Sequence, residues 1–295
     1  MTISYKPRKG TPIEMKKQSI SCIFRLRNLT FVAENTKIQM KITLLQTDIS
    51  WNDPETNRRR AEGMMRGTEK SDVYVLPEMF STGFATQPEG IAEGDEGSLR
   101  WMTRTAKELD AAVVGSIATA LEEGVYCNRM YFVEPDGMVS FYDKRHLFSY
   151  AGEEKRYRAG KERKVVEFRG VRFLLQVCYD LRFPVWSRNR GDYDCAIYVA
   201  NWPQSRIEAW NTLLKARAIE NQAYVCGVNR VGTDDACQYA GGTQLIDPYG
   251  RVAARCEDEK EGCVTVELNM TKLKEFREKF TVLKDGDEFS LPFTV

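Results

Sequence analysis

Cys178 closes the apolar run Val171-Arg172-Phe173-Leu174-Leu175-Gln176-Val177, and the polar, proline-containing stretch Tyr179-Asp180-Leu181-Arg182-Phe183-Pro184 after it reads as a turn into a helix. That order presents a thiol at the end of a buried strand. The chain holds a single histidine, His146, so the imidazole that usually activates a serine or cysteine nucleophile has at most one candidate. Two further polar residues end strand-like runs: Glu78 after Val73-Tyr74-Val75-Leu76-Pro77, and Lys144 after Phe141-Tyr142-Asp143. Alone, Glu78 reads as a solvated or capping carboxylate, Lys144 as a surface charge, and a thiol as a small buried hydrophobe. The case for chemistry rests on the set, because side chains at strand ends can converge at one edge of a sheet.

The elements that would carry these residues alternate from Met40 onward. A strand covers Lys41 to Ile49. Asp53-Pro54, an N-cap followed by proline at the first helical position, launches a helix to about Thr68. A short strand from Asp72 to Leu76, a helix capped by Ser98 and a strand from Ala111 to Ile117 follow. Pro135-Asp136-Gly137 then turns a hairpin between Arg129–Val133 and Met138–Tyr142. After the Cys178 strand come a strand at Cys195–Ala200 and a helix with Ile207, Trp210, Leu214 and Ala218 on one face. Strands around Tyr224–Asn229, Thr243–Ile246, Arg251–Ala254 and Cys263–Leu268 complete the chain, with Asp247-Pro248-Tyr249-Gly250 as a turn. Helices and strands in mixed order, without a glycine-rich loop after the first strand, imply one α/β domain over residues 40–295 rather than a dinucleotide-binding fold.

Residues 1–39 differ: eight lysines and arginines face only Glu14 and Glu34, with no sustained apolar period. They read as a disordered basic arm, a transit-like segment or translation begun upstream of the true start, the last being favoured. Over the 295 residues the formal charge is +1, so no general field attracts nucleic acid or anionic lipid. No apolar run is long enough to cross a bilayer and the N-terminus lacks the order of a secretory signal, so a cytoplasmic protein is expected. None of the eight cysteines is spaced C-x-x-C, which argues against a structural zinc or a disulfide framework.

The runs Leu76-Pro77-Glu78-Met79-Phe80, Asp143-Lys144-Arg145-His146-Leu147-Phe148 and Cys178-Tyr179-Asp180-Leu181-Arg182-Phe183-Pro184 resemble, in order and spacing, the three signature segments of the nitrilase superfamily of carbon–nitrogen hydrolases. The stretches Ser149-Tyr150-Ala151-Gly152-Glu153, Phe183-Pro184-Val185-Trp186-Ser187-Arg188-Asn189 and Asn201-Trp202-Pro203 look most like its omega-amidase (2-oxoglutaramate amidase) branch. The resemblance implies an α-β-β-α sandwich of two stacked sheets, usually paired through helices into a homodimer or higher homo-oligomer. It implies Glu78 as general base, Cys178 as nucleophile, and Lys144 with the backbone N–H of Tyr179 as oxyanion donors, which is what a thioester mechanism requires. No metal or organic cofactor is needed. A free thiol titrates near 8.5 and a free glutamate near 4.3, so unaided transfer of the Cys178 proton to Glu78 is uphill by roughly 6 kcal/mol. Lys144 beside the sulfur and a dry pocket around the carboxylate are expected to close that gap.

A second glutamate after the lysine segment is common in the family, and Glu153 fits its Ala-Gly-Glu pattern better than the adjacent Glu154. His146 is structural by the same pattern. Arg182 either holds a substrate carboxylate with its planar fork or pairs with an internal acid. Trp202 and Phe84 are candidate pocket walls, with plain core as the alternative. The resulting expectation is an amidase that hydrolyses the terminal amide of a 2-oxo dicarboxylic acid monoamide. An N-carbamoyl amide hydrolase or a nitrilase would use the same trio, and a binding module with a vestigial site is the non-enzymatic alternative.

Overall fold

The computed structural model describes residues 39–94 and 96–290, all within the unit Lys37–Val295. The expectation for residues 1–39 therefore lies outside the described residues, apart from Gln39, which already opens the first strand. Strands run in chain order as β1 Gln39–Gln46, β2 Val73–Val75, β3 Ala112–Glu122, β4 Val125–Val133, β5 Val139–Asp143, β6 Val165–Phe168, β7 Val171–Val177, β8 Cys195–Ala200, β9 Tyr224–Asn229, β10 Val231–Thr233, β11 Gln238–Ala240, β12 Gln244–Ile246, β13 Val252–Arg255 and β14 Gly262–Asn269. The helices are α1 Pro54–Arg66, α2 Ser98–Leu109, α3 Pro184–Ser187, α4 Ile207–Asn221 and α5 Met270–Lys279.

Two six-stranded sheets form, in the orders β14-β1-β2-β3-β4-β5 and β13-β12-β9-β8-β7-β6. Each has three parallel strands at its centre, β1-β2-β3 and β7-β8-β9, flanked by antiparallel ones. Alternation along the strands sorts the side chains. Ile42, Leu44, Val73, Val75, Val114 and Phe132 of the first sheet pack against Phe173, Leu175, Val177, Ile197, Val199 and Val228 of the second in a single core. Their neighbours face outward: Leu45, Tyr74 and Val113 lie under Met65 of α1 and Met102 of α2, while Leu174, Ala196 and Tyr198 lie under Trp210 and Leu214 of α4. The order of layers is thus helix, sheet, sheet, helix, the sandwich expected. Among the described residues no helix is long and apolar enough to cross a membrane.

Asp53 caps α1 as expected, its Oδ1 accepting from Thr56 N–H at 3.1 Å. Ser98 does not cap α2. Gly97 holds the cap position, and the Glu93 carboxylate does the capping, accepting the Ser98 N–H at 2.7 Å and its hydroxyl at 2.9 Å. That acid lies five residues upstream, too far for a local capping pattern to reveal it.

The ends of the central strands place the chemistry. Gly160 donates its N–H to Lys144 O at 2.9 Å, and a Cβ built on Gly160 would fall well inside contact distance of the Asp143 carbonyl. Only glycine lets the chain run this close past the end of β5. Gly160→Ala is therefore expected to push Lys144 out of place, lowering stability by about 2 kcal/mol or more and turnover with it; a thermal melt and an activity assay on this one variant check both.

Candidate active site

Glu78 leaves the carboxyl end of β2, Lys144 follows β5, and Cys178 follows β7. The sequence suggests convergence at one edge of a sheet; the structure instead brings the first two from one sheet to meet the third from the other, across the mouth of the sandwich. Lys144 Nζ donates to Glu78 Oε1 at 2.9 Å and to Glu153 Oε2 at 2.9 Å and Oε1 at 3.1 Å. All three side chains are fully buried. Burial disfavours the charge on Lys144, yet the Glu153 and Glu78 carboxylates outweigh it and raise its pKa above the ordinary lysine value. Between the two glutamates the structure chooses Glu153, since Glu154 faces solvent.

Three residues with no role assigned from the sequence complete this cluster. Asn128 of β4 donates through Nδ2 to Glu78 Oε1 at 2.7 Å and to Glu153 Oε1 at 3.1 Å, while its Oδ1 accepts from Ser116 Oγ at 3.0 Å. Asn201, just past β8, donates its backbone N–H to Glu78 Oε2 at 2.8 Å and its Nδ2 to Glu78 O at 2.7 Å. Asp180 is a buried carboxylate that accepts from Val177 N–H at 3.0 Å, Tyr142 Oη at 2.8 Å and His146 N–H at 3.0 Å. It thereby ties the turn that carries Cys178 to the loop that carries Lys144. Signals for two of them were present: an asparagine in the middle of an apolar strand is out of place unless its amide is used, and an aspartate two residues past the thiol must be satisfied if buried.

His146 serves Asp180, with Nδ1 2.7 Å from its Oδ1, and stacks on Phe183 at 3.8 Å between ring centroids. This is the structural role expected of it.

Cys178 opens a 3₁₀ turn, Cys178–Arg182, with φ +44°, and Met79, next to Glu78, has the same φ of +44°. Left-handed backbone costs about 1–3 kcal/mol at a non-glycine residue and concentrates where geometry is functionally imposed. The turn aims the sulfur into a cavity of about 690 Å³ that Phe84, Tyr179, Arg182 and Trp202 also line. Burial pushes the Cys178 thiol well above its usual value; the charge on Glu78 adds to this, Lys144 opposes it, and Glu153 adds again. From the sequence, Lys144 beside the sulfur is expected to stabilise the thiolate. With two carboxylates for one ammonium beside it, the surroundings on balance favour the protonated thiol. Burial likewise raises Glu153, against the pull of Lys144.

Both candidate wall aromatics are wall and core at once. Phe84 lies 5.3 Å from Lys144 Nζ, while Trp202 is nearly buried, with its indole N–H donated to Arg206 O at 2.8 Å. Arg182 sits over the Trp202 ring at 5.0 Å and has no carboxylate within ion-pair distance among the described residues, so the internal-acid alternative for it finds no acid. Its exposed guanidinium lines the cavity. No group of three or more His, Cys, Asp or Glu among the described residues is placed to hold a metal ion.

Comparison with known proteins bears on this geometry. A profile described as "Carbon-nitrogen hydrolase" matches residues 41–278. The chain is 49% identical over 253 residues to "Omega-amidase YafV" of Escherichia coli (strain K12), covering 85% of this chain and 98% of that protein. It is 37% identical over 251 residues to "2-oxoglutaramate amidase" of Bacillus subtilis (strain 168), covering 83% and 96%. Among solved structures, XC1258 from Xanthomonas campestris, a CN-hydrolase superfamily protein with an arsenic adduct in its active site, superposes with a TM-score of 0.83 at 42% identity, covering 86% of this chain and 99% of the other. Saccharomyces cerevisiae Nit3, at 22% identity and a TM-score of 0.75 over 82% of this chain and 94% of its own, shares the fold.

Removing the ammonium leaves two carboxylates buried without a counter-charge. Lys144→Met should lower stability at neutral pH by about 3–5 kcal/mol. The same change removes what pulls the Glu153 value down, so its folded-state pKa rises further above the unfolded one. Stability tied to that protonation is present at low pH and lost as pH rises. Chemical denaturation at pH 5 and pH 8 should accordingly show the deficit of the variant shrinking on acidification; a deficit independent of pH would contradict the charge argument.

Proposed function

We propose a finer reading from one premise: the chain belongs to the carbon–nitrogen hydrolase family and is an enzyme acting on amides. The reading is that it cleaves the terminal amide of a small 2-oxo dicarboxylic acid monoamide, of the 2-oxoglutaramate kind, to the diacid and ammonia. The observation that carries it is the Arg182 guanidinium, unpaired among the described residues, on the wall of the cavity onto which Cys178 opens, a fork suited to a carboxylate at the far end of such a substrate. The names of the two relatives point the same way.

In this reading Glu78 takes the Cys178 proton as the sulfur attacks the amide carbonyl, so the cluster never gains a further negative charge. The developing oxyanion is held by the Lys144 ammonium, which turns toward it a proton it otherwise shares with Glu153, and by the Tyr179 N–H. Protonated Glu78 then gives its proton to departing ammonia, leaving a thioester on Cys178. It acts as base again toward the water that releases the acid. Glu153 and Asn128 hold Lys144 and Glu78 in register throughout. The enzyme is further proposed to work in the cytoplasm as a homodimer or higher homo-oligomer, as the family resemblance implies. Exposed Val185 on α3 and Ile219 on α4 offer apolar contacts for such pairing.

Steady-state kinetics on 2-oxoglutaramate, glutamine, asparagine and butyramide tests the substrate assignment, with 2-oxoglutaramate expected to have the highest kcat/KM. Cys178→Ala should lack turnover while keeping the wild-type melting temperature. Glu78→Gln, which keeps the shape but not the base, should lose at least about a hundredfold in kcat. Normal turnover in either variant would remove the residue from the mechanism. Arg182→Lys should raise KM for 2-oxoglutaramate more than it lowers kcat, because the contact exists in ground and transition states alike; an equal loss on butyramide would reject the anchor.

A further inference from the structure

A second arginine, with no role assigned from the sequence, reaches the same cavity. Arg206 ends the 3₁₀ turn Gln204–Arg206 ahead of α4, and its guanidinium lies 5.4 Å from the centroid of the Phe148 ring. Its backbone is fixed: the N–H donates to Pro203 O at 3.0 Å, and the carbonyl accepts from Trp202 Nε1 at 2.8 Å. Trp202 is also the ring over which Arg182 sits. The nearly buried Trp202 indole thus carries the Arg182 guanidinium over its face and fixes the backbone of Arg206 through its N–H.

Neither cation is neutralised among the described residues, although the cavity wall includes acids. Asp234 is already engaged, with Oδ1 accepting from Ala236 N–H at 3.0 Å and Cys237 N–H at 2.8 Å, and Oδ2 accepting from Tyr239 Oη at 2.7 Å. Buried Arg230, by contrast, pairs with Asp48 at 3.3 Å and lies 3.8 Å from Asp234. The fold thus satisfies the arginine it uses as structure and leaves two others open toward the space beside the thiol. Uncompensated cations lining a low-dielectric cleft concentrate anions there, and a carboxylate has lone pairs enough for two forks.

We infer that Arg206 is a second specificity-determining cation, which joins Arg182 in holding the carboxylate remote from the scissile amide. This rests on the omega-amidase-type reading above. Because Trp202 is tethered through the Arg206 backbone carbonyl, replacing the side chain leaves that contact in place, so Arg206→Gln separates charge from scaffold.

The test compares 2-oxoglutaramate, glutaramate (the same monoamide without the oxo group) and neutral butyramide in wild type, Arg206→Gln, Arg206→Lys, Arg182→Gln and the double glutamine variant. Arg206→Gln should lower kcat/KM by roughly tenfold or more on both anionic amides, mainly through KM, and change butyramide by less than about twofold. Arg206→Lys should recover part of the loss, and the double variant should erase most of the preference for anionic over neutral amide. Equal losses on all three substrates with a lower melting temperature would make Arg206 a packing partner of Phe148 only. A loss confined to 2-oxoglutaramate would assign it to the oxo oxygen; either result overturns the inference. If wild type itself shows no preference for anionic amides, the substrate reading fails; if that preference exists and survives Arg206→Gln, only the present inference does.

Discussion

The structure depends on keeping two carboxylates and one ammonium out of water. Glu78, Lys144 and Glu153 have no solvent exposure, and ions so placed are stable only if each lone pair and each proton is met. Lys144 meets both acids, Asn128 bridges them, the Asn201 N–H takes the second oxygen of Glu78, and the Phe148 N–H takes Glu153 Oε2 at 2.6 Å. These donors come from the middle of β4, from just past the ends of β5 and β8, and from the loop after β5. Both sheets must therefore stack in one register for the cluster to exist, which makes the sandwich core a condition of the site as well as of stability.

That cluster also shapes the surroundings of Cys178, the nucleophile proposed above. A thiolate beside an excess of negative charge is unfavourable, so burial and the two carboxylates push the Cys178 thiol upward, which fits the proposed loss of its proton only as a substrate carbonyl is attacked. The backbone contributes at the same point. Left-handed φ values at Met79 and Cys178 turn the chain sharply after β2 and β7, and the strain is held by bonds that leave no relaxed alternative: Met79 N–H to Ser116 Oγ at 2.9 Å, and Val177 N–H to Asp180. Asp180 links these turns to the Lys144 loop through Tyr142, whose hydroxyl also accepts from Trp186 Nε1 at 2.9 Å.

The cavity divides labour by chain segment. The Cys178 thiol opens onto it, while its walls come from loops after the strand ends: the Phe148–Ala151 stretch, the Cys178–Arg182 turn, the Asn201–Arg206 segment and the β10–β11 hairpin. Those walls carry Arg182 and Arg206, which meet no acid among the described residues. The walls meet the charge cluster at the Phe148 N–H, at the Phe84 ring and at Asn201, through both its backbone N–H and its side-chain amide.

Sequence alone determined the features that local pattern and residue type dictate. Apolar alternation marked most strands, Asp53-Pro54 marked the start of α1, and three polar residues at the ends of apolar runs marked Glu78, Lys144 and Cys178, because such placements are expensive unless used. It missed β6, the β10–β11 hairpin and α5, which are short or only weakly amphipathic, and it misplaced the cap of α2, whose acceptor is the more distant Glu93. Tertiary structure alone decided that His146 serves Asp180, that Asn128 and Asn201 complete the carboxylate cage, and that Arg182 and Arg206 meet no acid among the described residues. The reason is physical. Propensity and periodicity act over a few residues, whereas burial and hydrogen-bond satisfaction are set by partners 25 to 123 residues away along the chain.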